Sequence, residues 1–385
     1  MVHNRYVSAT PSGENVVVEQ EIDLLRAAGV TVVPYLRSSD EIATLPASRK
    51  ALLPVAPTYA PDAVRDVRQL LAREHPDVVH LHNPYPLVSP WVVRIARDAG
   101  VPVVQTVHNY RHVCAKGIYF RDGHVCHDCL GKAVPWPAVA HACYRDSHAQ
   151  SVAIAAALTV HRTTWQRVDR YLALTPALAD HLRTAGIDSS RITVKPNSVP
   201  DPGMHSTEGD GFLLVGRLTE DKGVRLLLDA WQAEPADSLG ALHVAGDGPL
   251  RGDVEQVAAA RDDVSYHGRV DNAGVRELMR RTAVTVVPSQ WDEICPMVVI
   301  EALANARPVL ATDKGGLPFL VTPEVGWTVP PTVSALRSAL RSARTDAAGR
   351  VAAARRRYET QFAPDVITGR LLDVYRSLAP QATVD

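Results

Sequence analysis

Residues 212–223 read FLLVGRLTEDKG and decide the fold, because an apolar run passes directly into a charged turn that ends in glycine. The run Phe212–Val215 has the composition of a strand that is buried on both faces. The turn Gly216–Gly223 precedes Val224–Trp231, whose apolar residues have helical spacing. In a strand-to-helix turn, backbone amides and the helix N-terminus attract anions. The stretch therefore predicts one βα unit of a parallel sheet with an anion-binding turn.

Two basic side chains in this turn suit a diphosphate. Arg217 offers a planar fork of donors, and Lys222 offers a compact positive charge. Only six of the 41 basic residues are lysines, which gives weight to the position of Lys222. The alternative is a solvated turn with an ordinary helix cap.

The same alternation of apolar runs and amphipathic stretches extends through the chain in both directions. The predicted strands are Val30–Tyr35, Val78–Leu81, Val101–Val107, Tyr171–Leu174, Ile192–Val194, Phe212–Val215, Leu242–Ala245, Val264–Tyr266, Val284–Val287 and Val309–Ala311. The helical patterns include Val17–Ala28, Ala63–Arg73, Ser89–Ala99, Ala149–Arg167, Val224–Trp231, Ala347–Phe362 and Asp365–Leu378. Only Met1–His3 precede the first loop, so either the first strand is short or the native start lies upstream. Buried strands that alternate with helices indicate parallel sheets covered on both faces.

A polar, Pro- and Gly-rich stretch at Asn197–Gly211 divides this pattern into two sets. We therefore predict an α/β protein with two Rossmann-like parallel-sheet domains that face a cleft. The expected bounds are 1–200 for the first domain and 201–362 for the second. Residues 363–385 should form a C-terminal helix that crosses back to the N-terminal domain, since Pro364 separates it from the preceding helical pattern. A Cys-rich insertion is expected at 109–147.

Two carboxylates follow the predicted strand Val284–Val287. Glu293 falls in the loop and Glu301 on the helix after it, both near the carboxyl ends of the strands, where open α/β sheets bind ligands. A carboxylate is a natural acceptor for sugar or ribose hydroxyls. The alternative for Glu301 is a helix-face charge, although its neighbours are apolar. Asp313–Gly316 follows the next strand, and its paired glycines permit close approach of a ligand.

Taken together, these motifs resemble glycosyltransferase family 4, a retaining family with the GT-B fold. In the C-terminal half the resemblance lies in GRLTEDKG (216–223), AGDGPL (245–250), HGRV (267–270) and VVPSQWDEICPMVVIEALANARPVLATDKGG (286–316). In the N-terminal half it lies in DVVHLHN (77–83), PVVQTVHNYRHVC (102–114), LALTPALADHL (172–182) and VKPNSV (194–199). The order of these motifs covers nearly the whole chain.

The resemblance implies a role for each matching residue. Arg217 and Lys222 would hold the donor diphosphate, Glu293 would meet the donor sugar, and His108 would reach the transferred sugar. The implied donor-binding set is Gly13 in the phosphate-side loop, Asn197, Gly216, Gly268, Arg269 and Val270 near the base, Cys295, Pro296, Met297 and Val298 near the sugar, and Glu301 on the ribose. Lys195 is expected to line the cleft beside Asn197.

The chain departs from the family pattern in four places. Pro296 replaces the usual Gly and removes one amide donor, Phe319 replaces a Glu, and Ala306 replaces a Gly. The loop at Gly13 has one glycine where relatives often have two. None of these changes removes a charged phosphate or ribose ligand.

Four cysteines crowd into 30 residues with the spacing Cys114-x11-Cys126-x2-Cys129-x13-Cys143. A Cys-x2-Cys pair between two further thiols predicts a closed, structural Zn²⁺ site, which would supply folding energy to a long irregular segment. The alternatives are free thiols or a redox pair at Cys126 and Cys129. The nearby histidines His112, His124, His127 and His141 could replace one thiol.

The composition excludes several classes of protein. The chain has 385 residues, 46% hydrophobic and 22% charged, which is ordinary for a globular protein. Its formal net charge of -1 provides no general attraction to nucleic acid, so we expect no nucleic-acid partner. We see no transmembrane segment and no apolar leader, and expect a cytoplasmic protein; peripheral membrane contact stays open.

The function that the resemblance implies is a glycosyltransferase of the retaining, hexosyltransferase type. It would move a sugar from a nucleotide-diphosphate donor, UDP-sugar being favoured, to a hydroxyl of a small-molecule or glycan acceptor by front-face attack. The sequence has no Asp-x-Asp motif, so we expect no catalytic metal. The alternatives are a nucleotide-sugar 2-epimerase of the same architecture and a non-catalytic, zinc-containing scaffold.

Overall fold

The structure is a computed structural model that describes residues 1–9, 12–203 and 209–379. In chain order, its strands are β1 (Val2–Arg5), β2 (Tyr35–Ser38), β3 (Val79–Leu81), β4 (Val103–Val107), β5 (Phe120–Arg121), β6 (His124–Val125), β7 (Arg170–Ala173), β8 (Ile192–Val194), β9 (Phe212–Val215), β10 (Leu242–Ala245), β11 (Val264–Tyr266), β12 (Val284–Val287), β13 (Val309–Thr312) and β14 (Gly326–Val329).

Its α-helices connect these strands. They are α1 (Gly13–Ala27), α2 (Glu41–Thr44), α3 (Ala47–Lys50), α4 (Pro61–Glu74), α5 (Trp91–Asp98), α6 (Trp136–Ala140), α7 (His148–Trp165), α8 (Pro176–Thr184), α9 (Val224–Gln232), α10 (Arg251–Ala260), α11 (Asn272–Arg281), α12 (Met297–Ala304), α13 (Leu317–Leu320), α14 (Val333–Asp346), α15 (Val351–Gln361) and α16 (Pro364–Leu378). Among the described residues, no helix combines the length and the apolar character that a bilayer crossing needs.

The chain divides into two compact units, each with its own parallel sheet. Of the described residues, unit 1 contains those within 1–119, 126–196 and 368–379, and unit 2 those within 120–125 and 197–367. The sequence pattern predicts that the first domain ends at residue 200 and the second at residue 362. Helix α16 begins in unit 2, and its part from Thr368 onward belongs to unit 1.

Both sheets are six-stranded, with parallel pairing throughout. The strand order is β2-β1-β3-β4-β7-β8 in unit 1 and β11-β10-β9-β12-β13-β14 in unit 2. Each order reverses direction once, between β1 and β3 in unit 1 and between β9 and β12 in unit 2. In open α/β sheets, ligands bind at the carboxyl ends of the strands beside this reversal. The fold thus points to the loops after β9 and β12, and to those after β1 and β3.

Part of α16 completes the apolar core of unit 1. Leu371 and Val374 pack with Leu25, Val104 and Leu172, which come from α1 and the sheet. These residues are distant in sequence, so their cluster ties the end of the chain to its beginning. Because apolar burial contributes about 25 cal/mol per Å², this contact adds to the stability of unit 1.

The predicted strand at Val30–Tyr35 is wrong, because the strand begins where that run ends, at Tyr35. Val30 and Val32 instead pack against the cluster that contains Leu371, so they are apolar without belonging to a strand. The sequence interpretation also omitted β14, a strand that starts with glycine, and the hairpin β5–β6. The other predicted strands lie within two residues of the observed ones.

Replacement of Gly223 should destabilise unit 2. Gly223 has φ +70°, and an added Cβ would lie 1.8 Å from the carbonyl oxygen of Pro288, which is the residue after β12. We expect Gly223→Ala to lower the free energy of unfolding by ~2 kcal/mol or more, since both strain and overlap must be relieved. Chemical denaturation measures the change.

The matched control is Gly252→Ala. Gly252 lies in the first turn of α10, and an added Cβ would meet nothing within 4 Å. Alanine has a higher helix propensity than glycine, so this variant should be unchanged or slightly stabilised. Equal stability of the two variants would contradict the proposed strain at Gly223.

Candidate active site

The loops after β9 and β12 meet through a lysine–glutamate pair. Lys222, in a 3-10 turn at Glu220–Lys222, donates from Nζ to Oε1 of Glu293 at 2.5 Å. Ser289 donates from its hydroxyl to the same oxygen at 2.6 Å. Glu293 is 3% exposed, whereas the Lys222 side chain is 23% exposed. The pair therefore places a partly exposed positive charge next to a buried carboxylate, beside the strand-order reversal of unit 2.

Backbone hydrogen bonds hold the two loops in this register. The amide of Gln290 donates to the carbonyl of Asp221 at 2.8 Å, which joins the β9 and β12 loops directly. The amide of Gly316 donates to the carbonyl of Glu293 at 2.6 Å, which adds the loop after β13. Gly315 has φ +54°, and an added Cβ would lie 2.2 Å from that carbonyl oxygen. The paired glycines predicted to admit a ligand thus let two loops approach each other.

The second oxygen of Glu293 is uncommitted. Oε1 accepts from Lys222 and Ser289, but Oε2 accepts no hydrogen bond within the part of the chain that the structure describes. A carboxylate oxygen has two acceptor lone pairs. Oε2 is therefore the atom through which Glu293 can bind a hydroxyl.

Arg217 provides a second, more exposed cation in the same turn. Its side chain is 58% exposed and lies 3.5 Å from the Asp221 carboxylate. At this exposure the ion pair with Asp221 contributes little to stability. The guanidinium can therefore turn to an anion at low cost.

The remaining predicted donor residues occupy neighbouring loops of unit 2. Pro296 is the N-cap residue of α12, Met297 and Val298 begin that helix half-buried, and Cys295 is buried. Asn197 donates from its side chain to the carbonyl of Cys295 at 3.5 Å, and its buried Oδ1 has no partner among the described residues. Burial raises the pKa of Glu301 on the same helix, with Arg276 opposing the shift. Gly216 follows β9 directly with φ +155°, a backbone conformation that favours glycine.

The loop after β11 contains the residues predicted to lie against the base. Gly268 has φ +63°, and its carbonyl accepts from the amide of Gly246 at 2.8 Å. Arg269 is exposed and Val270 is half-buried. The loop is thereby tied to the one after β10, at the same edge of the sheet.

In unit 1, His108 follows β4 and ends a buried chain of polar contacts. Its Nε2 lies 2.9 Å from Nδ1 of His82, and Nε2 of His82 lies 3.3 Å from Oε1 of Glu21. Lys195 donates to Oε2 of Glu21 at 2.5 Å, and its side chain is 2% exposed. Burial alone would raise the pKa of Glu21, but Lys195 and the two nearest imidazoles hold it well below the ordinary value. Lys195, expected to line a ligand cleft, is thus committed to an internal ion pair.

A second polar cluster surrounds Glu14 in the first turn of α1, next to the exposed Gly13. Tyr6 donates to Oε2 of Glu14 at 3.1 Å, while Oε1 is buried without a hydrogen-bond partner in the described residues. Burial raises the pKa of Glu14 to about 7, against the opposing effects of Arg111, Tyr6 and Asn109. With His108 and Tyr85, Glu14 lines a small polar cavity.

The cysteines form no disulfide, and Cys114, Cys126, Cys129 and Cys143 all belong to unit 1. Among the residues that the structure describes, one group brings three ligand atoms within 4.8 Å of one another: Glu21, His80 and His82. The cysteines do not form such a group. Lys195 already neutralises Glu21, so that group has no unbalanced negative charge to attract a cation.

Two family models match the chain over most of its length. The model described as glycosyl transferases group 1 matches residues 209–346, and the one described as glycosyl transferase 4-like domain matches residues 12–198. The chain belongs to glycosyltransferase family 4. Its fold is GT-B, with two parallel-sheet α/β units, which confirms the predicted fold class.

Individual relatives agree with this assignment. The glycosyltransferase is 27% identical to the phosphatidyl-myo-inositol mannosyltransferase of Mycobacterium leprae over 97% of this chain and 95% of that one. Among solved structures, the sucrose-phosphate synthase of Thermosynechococcus elongatus has a TM-score of 0.71 at 22% identity and covers 98% of this chain and 95% of that one. HepE of Anabaena in complex with UDP has a TM-score of 0.65 at 15% identity and covers 98% and 99%. These two structures show the shared fold.

Sequence reasoning missed several residues that lie beside the predicted site residues. Ser289 and Trp291 contact the Lys222–Glu293 pair, the Trp291 ring centre lying 5.1 Å from Lys222 Nζ. Glu14, Glu21 and Arg111 were not singled out. A glutamate among apolar residues on one face of Val17–Ala28 was the available signal for Glu21, whereas Glu14 looks like an ordinary first-turn acidic residue.

The raised pKa of Glu14 predicts a specific pH dependence of stability. Folded Glu14 keeps its proton up to about pH 7, while the unfolded chain releases it near 4.5, so this contribution is present at low pH and is lost as pH rises through 7. We expect the stability of the wild type relative to Glu14→Gln to fall by ~2 kcal/mol between pH 5 and pH 8. Denaturation at a series of pH values measures it.

The control is Glu19→Gln, which removes an exposed glutamate of the same helix. This variant should keep the wild-type pH dependence. A Glu14→Gln profile parallel to that of the wild type would contradict the assignment.

Proposed function

We propose that the chain is a retaining glycosyltransferase that moves a hexosyl group from a nucleotide-diphosphate sugar to an acceptor hydroxyl without a catalytic metal. The observation that supports this most directly is the Lys222–Glu293 pair, with Arg217 in the same turn. Together they offer two cations for a diphosphate and one uncommitted carboxylate oxygen for a sugar hydroxyl.

The chemical step needs stabilisation of negative charge. As the bond between the anomeric carbon and the phosphate oxygen breaks, charge grows on the leaving diphosphate, and preorganised cations lower its energy. Lys222 is held in place by Glu293 and Arg217 is free to approach. In front-face attack, the acceptor oxygen bonds to the same face of the anomeric carbon, and the leaving phosphate takes the acceptor's proton. Configuration is thereby retained.

A uridine nucleotide is the donor that we favour. HepE, which shares the fold, is described in complexes with UDP, with UDP and glucose, and with UDP-glucose. Glu301 on α12 would bind the ribose hydroxyls, and the backbone around Gly268 would lie against the base. Cys295, Pro296 and Met297 would face the sugar, next to Glu293.

The acceptor is a small molecule or a glycan with a free hydroxyl. The curated relatives include a phosphatidyl-myo-inositol mannosyltransferase and, over 31% of this chain and 32% of its own, a 31% identical alpha-D-kanosaminyltransferase of Streptomyces kanamyceticus. Their names span a lipid acceptor and an amino-sugar donor, so substrate choice varies among similar chains. A nucleotide-sugar 2-epimerase would consume donor in the absence of any acceptor, which a single incubation tests.

Donor binding should depend on Arg217. We expect UDP or a UDP-sugar to raise the melting temperature of the wild type by mass action, and Arg217→Ala to remove most of that shift. Loss of one diphosphate contact should also reduce kcat/KM at least a hundredfold, as for removal of one charge-stabilising donor. Glu293→Ala and Lys222→Ala should abolish transfer.

The matched control is Arg344→Ala. Arg344 is an exposed arginine of unit 2 that pairs with Asp210, before β9 and therefore at the opposite edge of the sheet. It should retain both the melting shift and turnover. Near-normal turnover of a folded Arg217→Ala variant would contradict the proposed function.

We also propose that Cys114, Cys126, Cys129 and Cys143 bind a structural Zn²⁺. Four thiols without disulfides suit a closed tetrahedral site in a reducing compartment such as the cytoplasm. The hairpin β5–β6 returns the chain so that the amide of Cys126 donates to the carbonyl of Tyr119 at 2.8 Å. Burial and, to a smaller extent, the charges of the other three thiols raise the pKa of Cys129 to about 11, and a bound Zn²⁺ would favour its thiolate.

Metal removal tests this site. The purified protein should contain about one zinc per chain, and a chelator should lower its melting temperature because metal binding contributes folding energy. Cys129→Ser should lose the metal, and Cys295→Ser, which alters the buried cysteine of unit 2, should keep it. Elemental analysis that finds no zinc in freshly purified protein would reject the proposal.

A further inference from the structure

In the buried chain of contacts Lys195–Glu21–His82–His108, the chemistry of each group determines which atom donates the hydrogen bond and which accepts it. A carboxylate can only accept hydrogen bonds, so its contact with His82 Nε2, 3.3 Å from Glu21 Oε1, favours the proton on that nitrogen. Neither atom has a hydrogen bond of standard geometry in the described residues, and Oε1 lies 3.3 Å from Nδ1 of His80 as well. Glu21 thus sets the tautomer of His82.

The tautomer of His82 in turn sets that of His108. A neutral imidazole with its proton on Nε2 has a lone pair on Nδ1, and Nδ1 of His82 lies 2.9 Å from Nε2 of His108. His108 must then donate from Nε2. Burial lowers the pKa of both histidines, so each ring carries one proton rather than two.

We propose that Glu21 is a positioning residue, which holds His108 with its proton on Nε2 so that Nδ1 accepts a hydrogen bond from a hydroxyl of the transferred sugar. This rests on the proposed function, from which the role of His108 is taken. Nδ1 of His108 makes no hydrogen bond within the described residues, and it is therefore available to a ligand.

Lys195 fixes the donor and acceptor roles at the start of this chain of contacts. Its Nζ occupies Oε2 of Glu21, and as an ammonium group it can only donate. Lys195 also argues against a metal site at Glu21, His80 and His82, because it already compensates the charge of the carboxylate inside the unit. We therefore favour a chain of hydrogen bonds at this place.

The geometry predicts that Glu21→Gln exchanges the protonated and unprotonated ring nitrogens of both His82 and His108. Lys195 still requires an acceptor, so the amide oxygen turns to Lys195 and the amide N–H₂ group faces the histidines. Nε2 of His82 must then accept, its proton moves to Nδ1, and His108 must accept at Nε2. His108 would carry its proton on Nδ1, where it can no longer accept from the sugar.

Nitrogen NMR of the imidazole rings directly tests which nitrogen of His108 carries the proton. Two-bond ¹H–¹⁵N spectra of the full chain distinguish protonated from unprotonated ring nitrogens, with His108 assigned from His108→Asn. We expect the Nε2–H form in the wild type and the Nδ1–H form in Glu21→Gln. Turnover should show kcat about tenfold lower or more, and a smaller change in the KM for the donor.

A second variant covers the case in which Glu21→Gln fails to fold. His82→Phe leaves the Lys195–Glu21 pair intact and removes the link to His108, so His108 should become a mixture of tautomers. Glu234→Gln is the matched control: it removes a buried carboxylate of unit 2 that is paired with Arg337 and Arg341, and it should leave the spectrum of His108 and the turnover unchanged.

The outcomes separate the two proposals. Wild-type His108 with its proton on Nδ1, or the same tautomer in both the wild type and folded Glu21→Gln, would overturn the role of Glu21. Absence of turnover with every nucleotide sugar would reject the proposed function, while the spectra would still decide whether Glu21 sets the tautomer.

Discussion

The contact between Lys222 and Glu293 is the interaction on which the site of unit 2 depends. It joins two loops that follow β9 and β12, the strands on either side of the reversal in strand order. A buried carboxylate without its cation would be strongly destabilising, so the loops must stay together. Gly223 and Gly315 make this possible, because a side chain at either position would push the neighbouring loop backbone away.

Unit 1 contains a second lysine–glutamate pair, but its lysine is buried instead of partly exposed to solvent. Lys195 and Glu21 are also 2.5 Å apart, but Lys195 is almost completely enclosed, whereas Lys222 is partly open to solvent. An open ammonium group can share its charge with an incoming anion. An enclosed one cannot, and its field acts only on the groups already beside it, here a carboxylate and the imidazoles around it. One pair thus suits ligand binding and the other internal order.

Local sequence patterns predicted much of the fold. Continuous apolar runs such as Phe212–Val215 and Val284–Val287 can be satisfied only as buried strands, and their observed bounds agree. Val30–Tyr35 has the same composition, but Val30 and Val32 pack against a core cluster that includes Leu371 and Val374 of α16, which no local window of sequence contains. The loops after β9 and β12 were predictable through their motifs, and the donor-binding roles of their residues stay predictions. The Glu21–Lys195 pair was not predictable, since its members are 174 residues apart and no local pattern connects them.

The division of unit 1 among distant segments of the chain affects the order in which the protein can fold. Its core includes Leu371 and Val374, and Tyr375 hydrogen-bonds to His80 at 2.6 Å. Domains generally fold as the ribosome releases them, the N-terminal one first. Here the sheet of unit 1 lacks part of its core until α16 has been synthesised, whereas the residues of unit 2 all precede that segment. Unit 1 therefore cannot complete its core before unit 2 has been synthesised in full.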